Sequence, residues 1–388
     1  MPSERAVHLQ LSLRYDLGCG YRTRLGAVAT RLGIRRPLVV TDPGVAAQPW
    51  YADALRSLAD ADLTAATFDD IRTNPTLPSV DRGVDSYRAH RADGLVLIGG
   101  GSAMDTGKAI ALAATHDRPL FDYELAHGSH YKEIRGDRLV PMVAMPTTSG
   151  SGSEVSPGAV ITDRAAGVKR TLLHPALTPA AVIADPEVTF GLPAALTAGT
   201  GMDALTHAVE ALCSPVYHPL ADGAGLEAIR IIAGALPIAC REPGDAAART
   251  DMMMAASMAA VAFQKGLGLV HAMAHPLGAA LDLHHGLANA ILLPYVLAFN
   301  RTAAADPLAR MARALGLPAT DYPAVRDWLL ALRAEVGIPH RLDGCAPDTI
   351  GALSTRAAGE RAYLRTNPRP ANADQIAEIY RAAIAGDV

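Results

Sequence analysis

Between Pro37 and about Ile183, short β-branched or apolar runs ending in Gly, Asp or Thr alternate with helix-like stretches; after about Leu196 such runs are few. PLVVTD, GLVLIGGG, LVPMVAMPTT and AAVIADP are nearly continuous apolar segments, the pattern of strands covered on both faces in a parallel sheet. Strand and helix alternation of this kind places ligand sites at the strand ends. Further on, GMDALTHAVEAL, DGAGLEAIRIIAGAL, ARTDMMMAASMAAVAF and ADQIAEIYRAAIAG repeat apolar residues at spacings of three and four, which predicts helices throughout. The expected fold class is therefore an α/β amino-terminal domain, residues 1–188, followed by an all-α carboxy-terminal domain, residues 189–388. Pro186, Gly191 and Pro193 punctuate the change.

A chain of 388 residues, 50% hydrophobic by type, can bury a large core and is long enough for two domains. Its formal net charge of -4, with no dense Lys/Arg block, argues against nucleic acid as a partner and favours a small-molecule substrate. Cys19, Cys213, Cys240 and Cys345 are far apart and form no Cys-x-x-Cys pair, so neither a disulfide framework nor a thiolate zinc site is expected. The start MPSERAVHLQ has no apolar signal core, and runs such as IIAGALPIAC are shorter than the roughly 18 residues of a membrane span. The expectation is a cytoplasmic protein with no membrane partner.

The strand Gly94 to Ile98 runs into Gly99-Gly100-Gly101-Ser102, and AMDTGKAIALAA then begins a helix. Glycines let the backbone approach a pyrophosphate, and the helix N-terminus favours its charge. The motif is not a strict GxGxxG, so a tight turn without a ligand is the competing reading. Asp42, at the end of PLVVTD, is placed to accept hydrogen bonds from an adenosine ribose and to repel a 2′-phosphate, favouring NAD over NADP. It also suits a plain turn before Pro43-Gly44. PTTSGSGSE, Pro146 to Glu154, offers hydroxyls and flexible backbone for phosphate or nicotinamide, or else serves as a linker.

GTGMDALTHAVEAL sets Asp203 and His207 four residues apart on one face of a helix beginning near Thr200. In GLGLVHAMAHPLGAALDLHHGLANA, His271 and His275 have the same spacing, and His284 and His285 follow where Gly286 ends the run. Five of the 13 histidines fall in these two segments, a concentration that predicts a site of nitrogen and oxygen ligands for Fe(II) or Zn(II). Spacing leaves open which histidines bind. His275 precedes Pro276, which predicts that it sits towards a helix end, turned from its partner.

These residues together resemble the iron-containing, group III, alcohol dehydrogenases. The resemblance runs in order through VVTDPGV, TNPTLPSVD, GGGSAMDTGKAIA, PTTSGSGSEVSPGAVITD, DPEVTFGLPAALTAGTGMDALTHAVEA, GLGLVHAMAHPLGA and TNPRP. It implies a Rossmann-like dinucleotide domain plus a helical domain, the dehydroquinate synthase-like architecture, with the active site in the cleft between them. By resemblance, Asp203, His207, His271 and His285 are the metal ligands and His275 is the catalytic residue near nicotinamide and substrate. Asp42 meets the ribose. Gly99, Gly100, Ser102 and Asp105 belong to the pyrophosphate region; Thr147, Thr148 and Ser151 to the second cofactor loop; Lys169 to the cofactor cleft. The implied activity is hydride transfer between an alcohol and an aldehyde or ketone, in a homodimer or larger homo-oligomer.

Two segments depart from the family pattern: Ala262-Phe263-Gln264-Lys265 before the third ligand and Arg361-Ala362-Tyr363-Leu364-Arg365 before TNPRP. Lys265, Tyr363 and Arg365 are the candidate substrate residues, since an enclosed anion needs a cation, and they point to an ω-hydroxy acid or semialdehyde such as 4-hydroxybutyrate and succinate semialdehyde. Solvated or paired cations are the plainer reading. The competing functions are a glycerol-dehydrogenase-like or maleylacetate-reductase-like enzyme, a more distant dehydroquinate-synthase-like lyase, and a non-catalytic protein that binds NAD or metal.

Overall fold

The computed structural model describes residues 9, 13–125 and 130–388. It divides after Gly191 into an α/β unit and a helical unit, the latter also taking in Ser149–Ser151.

The α/β unit is built on a six-stranded sheet of β1 (Arg14–Leu17), β2 (Pro37–Val40), β3 (Ala66–Phe68), β4 (Gly94–Gly99), β5 (Met142–Pro146) and β8 (Ala181–Ala184). The order is β1-β8-β5-β4-β2-β3 and every pair is parallel. The central strands β2, β4, β5 and β8 are buried along their whole length, as their unbroken apolar runs require. Helices 25–31, 51–60, 77–90 and 101–115 connect them or pack on the sheet. Four strands lie outside the sequence expectation. β1 and β3 are short edge strands, and β6 (Gly158–Asp163) and β7 (Val168–Leu173) form a separate antiparallel hairpin.

Chain order runs outward from β2 to β3 and then returns to β4 on the other side of β2. The sheet therefore switches direction between β2 and β4, and ligands of open α/β sheets bind outside the carboxyl ends of strands at such a point. Asp42 follows β2 and the glycine run follows β4, so both lie there. The helices that matter to the site are α1 (Pro43–Ala46) and α2 (Gly101–Thr115) in this unit.

In the helical unit the corresponding elements are α3 (Ala194–Cys213), α4 (Pro219–Arg241), α5 (Ala246–Ala262), α6 (Leu269–Leu281) and α7 (His285–Asn300). α3 starts at Ala194, directly after Pro193 and before the expected Thr200, which lies within the helix and donates its hydroxyl to the carbonyl of Leu196 (2.9 Å). α6 runs through Pro276 to Leu281, so His275 is inside a helix and the predicted end at the proline is corrected. Gly286 likewise lies in the first turn of α7 and does not end a helix. α4, at 23 residues, is long and apolar enough to cross a membrane by length and composition. It carries Asp222, Glu227 and Arg230, and its Gly225, Ala228, Ile229 and Ile232 are buried within the helical core.

Candidate metal centre and nucleotide loops

α3 carries Asp203 and His207 on one face, and α6 and α7 bring His271 and His285 to it. The Nε2 atoms of His207, His271 and His285 lie 3.9, 4.0 and 3.8 Å from one atom, Oδ1 of Asp203. The donors of Asp203, His207 and His271 are all within 4.8 Å of one another. Four ligands bound tetrahedrally at about 2.1 Å would stand about 3.4 Å apart, so this spacing suits a single transition-metal ion. The first three residues are buried and His285 is half-buried.

A glycine makes this approach possible. A Cβ at Gly286 would lie 2.3 Å from the carbonyl oxygen of Gly199, so only glycine lets the start of α7 press against α3 beside Asp203. The rings then order one another. His207 stacks on His271 at 4.8 Å between centroids and meets the edge of Phe263 at 5.0 Å.

Protonation favours ligation. Burial pushes the pKa of His207 down to about 4, so its ring is neutral at neutral pH. His271 donates through Nδ1 to Oε2 of Glu210 at 2.6 Å, which leaves Nε2 as its lone-pair nitrogen. The Asn289 amide nitrogen lies 2.7 Å from Asp203 Oδ1, 3.1 Å from His271 Nε2 and 3.2 Å from His285 Nε2. Lone pairs from three side chains thus converge closely enough for one donor to touch all of them. The buried Asn289 Oδ1 has no hydrogen-bond partner among the described residues. This donor set fits a borderline divalent metal.

Glu210 and Asn289 escaped the sequence reading. Their signal was present: Glu210 is three residues after His207 and Asn289 four after His285, each on a ligand's helix face.

His275 is 6% exposed, with its ring 5.4 Å from that of His285 and 5.1 Å from that of Tyr363. It therefore shares the cluster with its i−4 partner, whose ring is 6.3 Å away. Tyr363 also lies over His271 at 6.2 Å. Arg365 is exposed just after the short helix Arg361–Leu364. Lys265 does not join them. It is 5% exposed, and its Nζ donates to Asp222 at 2.7 Å and to the carbonyl of Leu212 at 3.4 Å. A cation so matched inside the helical core is structural, which corrects the expectation that it receives a substrate anion.

In the α/β unit, Gly100 precedes α2 and offers no side-chain cap, so the first N–H groups of that helix, Ser102 included, remain available for an anion. A Cβ on Gly100 would stand 3.1 Å from Thr148 Oγ1, which shows how closely the two loops run. The Thr147 amide holds the glycine run by donating to the carbonyl of Gly99 at 3.0 Å. Asp42 caps α1 through Oδ1, which accepts from Val45 at 3.0 Å, while its Oδ2 lies 3.5 Å from where a Cβ on Gly99 would be. Asp42 is thus a helix cap whose second carboxylate oxygen faces the glycine run.

Asp105, in the second turn of α2, is held by two partners from the following segment. Its oxygens accept from Ser153 Oγ at 2.7 Å and from the amide of Val160 at 2.9 Å, binding α2 to β6 and the loop before it. Burial raises its pKa. Lys108, one turn on, donates to Ser153 and to the carbonyls of Ser156 and Gly158, and burial pushes its pKa down to about 8. The two residues position the second loop. Lys169 is half-buried on β7, near enough to Asp105 to act on its charge. Ser151 belongs to the helical unit.

Residues 14–186 match the family described as iron-containing alcohol dehydrogenase, and residues 197–384 match its C-terminal domain. The chain belongs to the iron-containing alcohol dehydrogenase family. A 4-hydroxybutyrate dehydrogenase of Cupriavidus necator is 39% identical over 369 residues, covering 92% of this chain and 94% of that protein. Among solved structures, a 1,3-propanediol oxidoreductase superposes with a TM-score of 0.92 at 34% identity, covering 98% of this chain and all of the other. A sulfoacetaldehyde reductase of Bifidobacterium kashiwanohense, solved with NAD+, superposes with a TM-score of 0.88 at 27% identity and the same coverage. The family enzyme is accordingly an alcohol dehydrogenase, an oxidoreductase that interconverts alcohols with aldehydes or ketones.

Proposed function

We propose that this enzyme uses NAD, in preference to NADP, and Fe(II), which Zn(II) can replace, to interconvert an ω-hydroxy acid and its semialdehyde. The observation that carries the metal reading is the ring of three Nε2 atoms around Asp203 Oδ1. Asp203, His207, His271 and His285 would hold the ion. When bound, it would supply Lewis acidity toward the substrate oxygen, and a nicotinamide would supply the hydride acceptor or donor.

The chain's own residues do the rest. Asp42 accepts hydrogen bonds from the adenosine ribose and disfavours a 2′-phosphate. Gly99, Gly100 and Ser102, at the uncapped start of α2, receive the pyrophosphate, and Thr147, Thr148, Ser151 and Lys169 line the rest of the cofactor's path. His275, buried beside His285 and Tyr363, takes the alcohol's proton in oxidation and returns it in reduction. Phe263 and Tyr363 border the histidines with apolar surface, and Arg365 supplies the cation for a distal substrate anion. The substrate named for the Cupriavidus enzyme carries a carboxylate, and sulfoacetaldehyde carries a sulfonate. The enzyme works in the cytoplasm as a homodimer or larger homo-oligomer, without nucleic acid or membrane partners.

A comparison of kcat/KM for succinate semialdehyde and butanal tests the substrate assignment. A charge-assisted hydrogen bond worth about 1.5–3 kcal/mol predicts a preference of roughly 10- to 150-fold for the semialdehyde. Equal values refute it.

A further inference from the structure

We propose that Glu210 is a positioning residue for the metal centre, one that joins the N-terminal cap of α6 to the orientation of His271. The inference rests on Asp203, His207, His271 and His285 being the metal ligands.

Glu210 is 6% exposed and its two oxygens have different partners. Oε1 accepts from the backbone N–H of Val270 at 2.6 Å, and Oε2 accepts from Nδ1 of His271 at 2.6 Å. One carboxylate on α3 thus satisfies a first-turn amide of α6 and the ring nitrogen of the next residue. The preceding amide, that of Leu269, donates to Oδ1 of Asn367 at 3.2 Å. Asn367, from the TNPRP segment, is held by a reciprocal amide pair with Asn300 at 2.9 and 3.0 Å. Gly268 completes the arrangement. A Cβ there would stand 3.0 Å from both Asn367 Oδ1 and Glu210 Oε1, crowding both acceptors.

Asn367 and Glu210 both cap α6, but only Glu210 also grips the ligand. A carboxylate on Nδ1–H fixes the imidazole tautomer, aims Nε2 at Asp203 and raises its basicity towards a metal. Glu210→Gln leaves one acceptor for two donors, so either Val270 or His271 faces an amide N–H.

The test measures Zn(II) dissociation constants by competition with a chromophoric chelator, along with the Co(II) ligand-field spectrum and apoprotein Tm. Glu210→Gln should bind Zn(II) about 10- to 100-fold more weakly and shift the Co(II) bands. Asn367→Ala, which removes a cap without touching His271, should lower Tm while keeping the wild-type dissociation constant and spectrum. If Glu210→Gln fails to fold, Glu210→Asp draws the carboxylate back by one methylene and is expected to give the same weakening. Unchanged affinity in the folded Glu210 variant overturns the proposal, as does equal weakening in Asn367→Ala, which would assign the effect to the helix end alone. Wild-type protein that binds no Zn(II), or Asp203→Ala that binds it equally well, overturns the ligand assignment itself and with it this inference.

Discussion

Replacing Gly286 by alanine should damage the metal centre without altering any ligand. The added Cβ would lie 2.3 Å from the carbonyl oxygen of Gly199 and 3.1 Å from Cβ of Asp203, whereas real Cβ contacts essentially never fall below 3.0 Å. Both close atoms belong to α3, and the first of them is backbone, so relief requires the start of α7 to retreat by at least the missing 0.7 Å. His285 is the residue before Gly286 and would move with it, away from an Asp203 oxygen now 3.8 Å from its Nε2. Metal sites tolerate about 0.2 Å of error in ligand distance, so the displacement exceeds that tolerance several-fold. Overpacking costs of about 1–3 kcal/mol correspond to roughly 5- to 150-fold weaker metal binding if the strain is released mainly at the site. Metal titration followed by chelator competition measures the effect, and apoprotein Tm reports strain remaining in the fold. A Gly286→Ala protein with wild-type affinity and Tm would refute the claim that close approach of α7 and α3 builds the site.

Three further consequences follow from particular contacts. Lys265→Met should cost about 1–3 kcal/mol in urea unfolding, since Asp222 keeps Arg310 at 3.0 Å but loses Lys265, while KM for succinate semialdehyde stays unchanged. In metal-stripped enzyme, the neutral His207 makes stability depend on acid: burial holds its folded pKa at about 4, below the ordinary histidine value of 6.5. The unfolded chain therefore binds more protons between those values, so this contribution is present above pH 6.5 and is lost as pH falls towards 4, by roughly 3 kcal/mol in all. Chemical denaturation across that range should show the decline beginning near pH 6.5. Asp42→Asn should lower the KM for NADP, because the charge that repels a 2′-phosphate is removed while an acceptor for the amide of Val45 remains.

Much of this molecule is legible along the chain, for identifiable reasons. β2, β4, β5 and β8 are buried on both faces, so their apolar runs leave a continuous signal. β1 and β3, only four and three residues long at the sheet edges, leave almost none. The candidate ligands stand out because the i and i+4 spacing of Asp203 and His207 puts two donors on one helix face. Supporting groups are harder to see. Glu210 and Asn289 have ordinary helical neighbours, and their partners come from other helices. Lys265 illustrates the opposite error: its charge stood out locally, but the carboxylate that neutralises it lies 43 residues earlier. The partners of Asp105 are equally hidden, since the atoms it binds lie 48 and 55 residues away. Pro276 predicts a helix end through the restriction it puts on His275, yet the buried face of α6 carries the helix through both.

Whether a metal held by Asp203 and three histidines is needed for hydride transfer can be decided by paired elemental analysis and turnover. Wild-type protein and Asp203→Ala would be prepared anaerobically with Fe(II) and assayed by NAD reduction with 4-hydroxybutyrate. Wild-type protein should hold one metal ion per chain and form NADH, and the variant should do neither. An Asp203→Ala enzyme that retains a full complement of metal and turns over at the wild-type rate would contradict that requirement.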